Sequence, residues 1–184
     1  MYHADPAAEL ELVPARTGVN KLLLLVVVAG VIVGLDLLTK MWIVQQFSMG
    51  EIRPVLGDFV RLTYTHNRGA AFGINVGEHS RAFFLVLSLV ALLVLGFIYR
   101  ATPATDVLRL LAVALVGGGA IGNIVDRIRY AAGVVDFIDV GFGAHRWPIF
   151  NVADSAVSVG AILLLISFYF EEKVGDDAPE RTGA

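Results

Sequence analysis

The chain has 184 residues, 57% of them hydrophobic and only 17% charged, with a net charge of −3 and no cysteine. Soluble domains carry about 25% charged residues, so this composition is that of an integral membrane protein. The absence of thiols excludes disulfides, thiolate metal sites and cysteine nucleophiles, and singly scattered basic residues leave no footprint for nucleic acid.

Residues 1–18 are rich in Ala, Pro and Glu without apolar periodicity and read as a disordered tail. A first span runs from Leu22 to about Val44, long enough to cross ~30 Å of hydrocarbon. It is interrupted by Asp36, Thr39 and Lys40. Its first half resembles a signal-peptide core, but no A-x-A pattern follows and the apolar run continues through "DLLTKMW", so a span is the better reading. About 35 residues then intervene, too many for a turn. Within them "FVRLTYT" alternates Val60, Leu62 and Tyr64 against Arg61, Thr63 and Thr65, the period-two pattern of a half-buried strand.

The second span, Ala82 to Tyr99, is uncharged, and the third runs from about Val107 to Val125 with Arg109 near its start. "VVDFIDV" (134–140) is a second strand candidate, with Asp136, Ile138 and Val140 on one face. One strand in each long connection predicts a small sheet resting on a helical bundle. A fourth span covers about Phe150 to Phe170, opened by "FNVADSAVSVG". Residues 174–184 read as another disordered tail, leaving residues 19–173 as a single integral-membrane domain. The four histidines (His3, His66, His79 and His145) lie far apart, no metal-ligand spacing appears, and no metal or cofactor is expected.

Alternating spans place the end of span one, the start of span two, the end of span three and the start of span four on one side. The polar groups fall there: Asp36 and Lys40, "HNRGAAFG", "GNIVDR", Asp136 and Asp154. Asp36 lies 14 residues past Leu22, roughly 21 Å along the helix axis and beyond its middle. Each feature has a plainer reading. Asp36 and Lys40, four apart, form an intrahelical pair, and structural support is favoured over chemistry there. Asn151 and Asp154 have the spacing of a capping box, a reading about even with catalysis. Gly30/Gly34 and Gly118/Gly122 have the GxxxG spacing of close helix packing. "NRGAAFG" suits a turn, and Asp126-Arg127 suits a solvated pair at a helix end.

Capping and ion pairing do not require further carboxylates, amides and an arginine at the same interface. Two carboxylates a few ångströms apart do not both ionise easily and share a proton. The ionised one accepts a proton from an attacking water, while the protonated one hydrogen-bonds the carbonyl oxygen and later protonates the leaving amine.

The ordered set "DLLTK" (36–40), "NRGAAFG" (67–73), "GGAIGNIVDR" (118–127), "VVDFIDV" (134–140) and "FNVADSAVSVG" (150–160) closely resembles the lipoprotein signal peptidases, also called signal peptidase II. The resemblance covers roughly residues 20–170. It implies a membrane all-α bundle of four transmembrane helices, with a small extracytoplasmic β-sheet and a short amphipathic lid helix. It implies an aspartyl endopeptidase of the bacterial cytoplasmic (inner) membrane that acts on prolipoproteins carrying diacylglyceryl-cysteine and cuts just before that cysteine. By matching positions, Asp136 and Asp154 are the catalytic pair. Asn67, Asn123, Arg127 and Asn151 match residues that bind substrate or position the dyad, and Asp36 and Lys40 match a supporting pair. Asp126 and Asp139 receive no catalytic role. The expected partners are substrate and membrane lipid, with the chain a monomer.

With both termini cytoplasmic, the cytoplasmic side carries Arg16, Lys21, Arg100, Arg109, Lys173 and Arg181, and the other eight basic residues lie outside or within the membrane. The positive-inside rule therefore gives this orientation no support, and it rests on the resemblance. A small four-span transporter or channel subunit is the alternative from another class. Transporter sites sit near the midplane on broken helices, whereas these polar groups gather at one end. A structural assembly subunit leaves the carboxylates unexplained.

Overall fold

The structure is a computed structural model that describes residues 18–69 and 76–176. Most of both expected tails, together with the AAFG part of "NRGAAFG", lies outside these residues. Four long helices are present: α1 (Lys21–Gln46), α2 (Ser80–Ala101), α3 (Val107–Arg129) and α4 (Val152–Asp176). Each contains a segment long and apolar enough to cross a membrane. Leu22, Val26, Phe83, Leu93, Phe97 and Leu165 are among the large apolar side chains left exposed, as expected where lipid rather than water is the solvent.

The helix ends are closed by polar groups placed at their boundaries. Asn20 caps α1 by accepting the Leu23 N–H at 3.0 Å, and Asp106 caps α3 by accepting the Arg109 N–H at 3.0 Å. Lys21 Nζ donates to the Tyr99 and Thr102 carbonyls at 2.8 and 2.6 Å, tying the start of α1 to the orphan carbonyls at the end of α2. α3 is the most buried of the four helices and forms the centre of the bundle. Its glycines allow this. A Cβ on Gly119 would collide with the Ala153 carbonyl and Val157 of α4, and one on Gly118 would press on Ala29 and Ile32 of α1. The GxxxG expectation thus holds for Gly118/Gly122 but not for Gly30/Gly34, where a Cβ would meet nothing within 4 Å among the described residues.

A four-stranded antiparallel sheet caps one end, in the order β1 (Ile52–Leu56), β2 (Val60–Asn67), β3 (Val134–Phe142) and β4 (His145–Arg146). The two strands expected from alternation pair with one another, Thr65 opposite Asp136 and Asn67 opposite Val134. β3 departs from the half-buried expectation: Val134, Val135, Asp136 and Phe137 are all buried. One side packs on Ile43, Phe47 and Tyr64, and the segment leading into α4 covers the strand through Phe150, whose carbonyl accepts the Ile138 N–H at 2.7 Å. Between Asn67 and α2 the described residues form a single 3-10 turn, Gly77–His79.

Candidate active site

The site grows from a buried charge cluster in α1. Lys40 Nζ forms ion pairs with Asp36 Oδ2 at 2.7 Å and Asp126 Oδ2 at 2.9 Å, and donates to Asn123 Oδ1 at 3.1 Å. The expected intrahelical pair is therefore one half of a cluster with two carboxylates. The solvated Asp126-Arg127 pair is corrected: both residues are buried, and Asp126 reaches Lys40. Its helix end faces the bundle interior rather than water. Asp126 Oδ2 also accepts the Val135 N–H at 3.0 Å, which pins β3 one residue before Asp136. Asp36 Oδ1 accepts the Ala153 N–H at 2.9 Å and so pins the first turn of α4.

Two asparagines carry this order outward. Asn123 Oδ1 accepts from both Lys40 and Asn151 Nδ2, the latter at 3.2 Å. That fixes the amide so that its Nδ2 donates to Asp154 Oδ1 at 2.8 Å. Asn151, wholly buried, donates from Nδ2 to Asp136 Oδ1 at 2.7 Å and to the Val135 carbonyl at 3.3 Å. Its Oδ1 accepts the Asp154 N–H at 2.8 Å, and its own N–H donates to Asp154 Oδ2 at 3.2 Å. That reciprocal pair is a capping box. Capping and chemistry are thus not alternatives at Asp154: one oxygen closes the helix, and both are fixed toward the site.

Asp136 and Asp154 are both tied to Asn151, the first through its side-chain amide and the second through its main-chain N–H. Burial, and then the neighbouring Asp154 charge, push the Asp136 carboxyl from its ordinary 3.8 up to about 7. Hydrogen bonds from Asn67 and Asn151 and the Lys40 charge pull the other way and do not prevail. Arg127 donates from Nη1 to the Asn123 carbonyl at 3.3 Å and from Nη2 to the Gly69 carbonyl at 3.2 Å. Its buried Nε has no hydrogen-bond partner among the described residues.

Two clefts open on this centre. One, of about 550 Å³, exposes Asp136 and is walled by Thr65, His66, Asn67, Arg68 and Gly69. The other, of about 310 Å³, exposes Asp154 and runs along α4 past Trp147, Phe150, Ser158 and Val159. Asn67, Pro148 and Ile149 line both. All eight residues singled out from sequence are therefore brought to one end of the bundle. Missed were Asp126 as a member of the Lys40 cluster, His66 and the 147–149 segment. Asp126 carried a signal, since it shares the "GNIVDR" stretch with Asn123 and Arg127. His66 carried only its place beside Asn67, and the 147–149 segment carried none.

Residues 28–170 match the family model described as signal peptidase (SPase) II. The lipoprotein signal peptidase of Syntrophotalea carbinolica is 44% identical over 145 residues, covering 78% of this chain and 89% of that protein. That of Streptococcus pyogenes serotype M1 is 43% identical over 148 residues, 79% of this chain and 92% of the relative. Two solved structures described as bacterial membrane enzymes superpose with TM-scores of 0.76 and 0.73 at 27% and 30% identity. They cover 93% and 84% of this chain and 99% and 97% of their own chains. The chain belongs to the signal peptidase II family, and it is an aspartic-type peptidase, a hydrolase.

Proposed function

We propose that this protein removes signal peptides from bacterial prolipoproteins that carry diacylglyceryl on cysteine, cutting just before that cysteine, with Asp136 and Asp154 as the catalytic pair. The observation that carries the proposal is one asparagine donating to both carboxylates, from its side chain to Asp136 and from its main chain to Asp154, with Asp136 raised to about 7. Such a rise lets one acid stay protonated beside an ionised partner at working pH.

Asp136 holds the shared proton and Asp154 is ionised. A water in the cleft loses a proton to Asp154 as its oxygen bonds to the scissile carbonyl carbon. The Asp136 O–H hydrogen-bonds the carbonyl oxygen as charge develops there. When the tetrahedral intermediate collapses, Asp136 gives its proton to the leaving nitrogen and the C–N bond breaks. The products are a carboxylic acid and the free amine of the cysteine. Transfer of the proton from Asp154 back to Asp136 restores the starting state. Arg127, near the end of α3, is a positioning residue: its planar fork holds the Gly69 carbonyl, and with it the Asn67–Gly69 wall of the cleft, against the Asn123 end of the site. Asn67 contacts the peptide without reading its side chains.

The lipid serves as a positioning device, since roughly 0.8 kcal/mol accrues per buried methylene before the peptide is gripped. Residues 19–173 form the peptidase domain of an inner-membrane monomer, with both termini cytoplasmic and the sheet outside. Purified protein incubated with a diacylated prolipoprotein is expected to release the signal peptide, and much faster than from the unlipidated precursor in the same detergent. Equal rates on the two precursors would overturn the lipid's role, and no release from either would overturn the function.

A further inference from the structure

Between β3 and α4 the chain makes an arch. At one foot the Trp147 N–H donates to the Val140 carbonyl at 2.8 Å. At the other, Phe150 and Ile138 exchange hydrogen bonds of 3.1 and 2.7 Å. Between these feet lie Pro148 and Ile149, which form the wall common to both clefts.

The first foot is fixed by a forked clamp. Arg146 donates from Nε to Asp139 Oδ1 at 2.6 Å, from Nη2 to the Asp139 carbonyl at 3.1 Å, and from Nη1 to the Asp58 and Gly141 carbonyls at 2.8 and 3.2 Å. The other Asp139 oxygen takes Arg61 Nε and Nη2 from β2 at 2.9 and 2.8 Å. Burial opposes the charge on Asp139, but hydrogen bonds from Arg146 and Arg61, and their charges, hold its carboxyl below the usual range. The carboxylate therefore stays ionised wherever the enzyme is assayed. With Asp139 5% exposed and Arg146 15% exposed, the clamp is shielded from solvent and doubly forked.

Among the described residues, the side-chain partners of Asp139 are Arg146, Arg61 and Thr63, none of them a member of the dyad, so its effect passes through Arg146 to the arch. Resting on the reading of the two clefts as the seat of the substrate, we propose that Asp139 is a positioning residue. Acting through Arg146, it sets where the 147–149 arch stands and hence how the substrate is gripped on both sides of the scissile bond. Small displacements of such a wall misplace the substrate without altering the chemistry of the dyad.

The chain has two tryptophans, so a Trp42→Phe background leaves Trp147 as a reporter at the foot of the arch. In that background Asp139→Asn is expected to raise KM about tenfold, with kcat held within about threefold and the pH profile unchanged. Trp147 emission should shift and acrylamide quenching should rise in the same variant. Arg146→Lys keeps the charge but loses the fork; it should show the same pattern more weakly, and it serves as the test if Asp139→Asn does not fold. Activity that falls only with the folded fraction, at unchanged KM, overturns the proposal. So does Trp147 fluorescence identical to that of the parent. A parent protein that releases no signal peptide overturns the functional reading instead, while the fluorescence still reports whether Asp139 holds the arch.

Discussion

Asp136→Asn should abolish cleavage and at the same time make the protein more stable above neutral pH. Asp136 is 2% exposed, and its carboxyl titrates near 7 rather than 3.8. Every tenfold gain in proton affinity is worth ~1.4 kcal/mol, so ionising this group costs the fold up to about 4 kcal/mol. The folded state holds the proton more tightly than the unfolded chain does. The cost is therefore absent below the unfolded value, grows as pH rises from 3.8 toward about 7, and is constant above that. Asparagine does not titrate. Its amide also loses an acceptor for the Asn67 and Asn151 donors, a pH-independent penalty of about 1 kcal/mol. Between pH 5 and pH 8 the stability gap should move by ~2–3 kcal/mol in favour of the variant. In thermal unfolding of purified protein in detergent, that corresponds to roughly 5–10 °C. A gap that does not change with pH, or that moves the other way, would refute a protonated Asp136 and with it the division of labour in the dyad.

Asp154→Asn keeps a carbonyl oxygen to accept the Asn151 N–H, so folded yield should persist while cleavage is lost; normal cleavage would leave Asp154 a helix cap alone. Lys40→Met strands Asp36 and Asp126 in the bundle and should cost ~3–5 kcal/mol, read as lost folded yield in membranes. Adding Asp36→Asn should restore that yield only in part, because Asp126 remains unpaired, and a full restoration would show that Asp126 has little part in the cluster. Arg127→Lys should lose at least tenfold in kcat/KM although charge is preserved, since an ammonium cannot copy the fork, and wild-type kinetics would make Arg127 a point charge only.

The spans were legible because twenty apolar residues in a row have few other uses, and β2 and β3 because their residues alternate or are β-branched. β1 was not legible: "IRPVL" carries a proline, alternates poorly and is exposed throughout, as suits an edge strand. Of the site, the acids and amides stood out because polar groups beside apolar runs need a reason. Their number in sequence does not tell which acid pairs with which base. Asp126 sits next to Arg127 in sequence but contributes its charge to Lys40, 86 positions earlier, because helical spacing points adjacent side chains about 100° apart. Likewise, Asp139 alternates off the face of Asp136 and finds its partners on β2 and β4, which only the register reveals.

Asn123 shows why the site is hard to take apart by single substitutions. One end of its amide accepts from Lys40 and the other donates to Asp154, and its position on α3 depends on Gly119 and Gly122 letting α4 and Asp36 approach. Lys40 thus reaches Asp154 in two hydrogen bonds, through Asn123, and Asp136 in three, through Asn123 and Asn151. A buried network of this kind stabilises only while every member is satisfied, since each orphaned donor or acceptor loses its partner where water does not replace it. The same condition that makes it costly to disturb also holds two carboxylates near one another through two linked asparagine side chains, an arrangement their mutual repulsion would otherwise open.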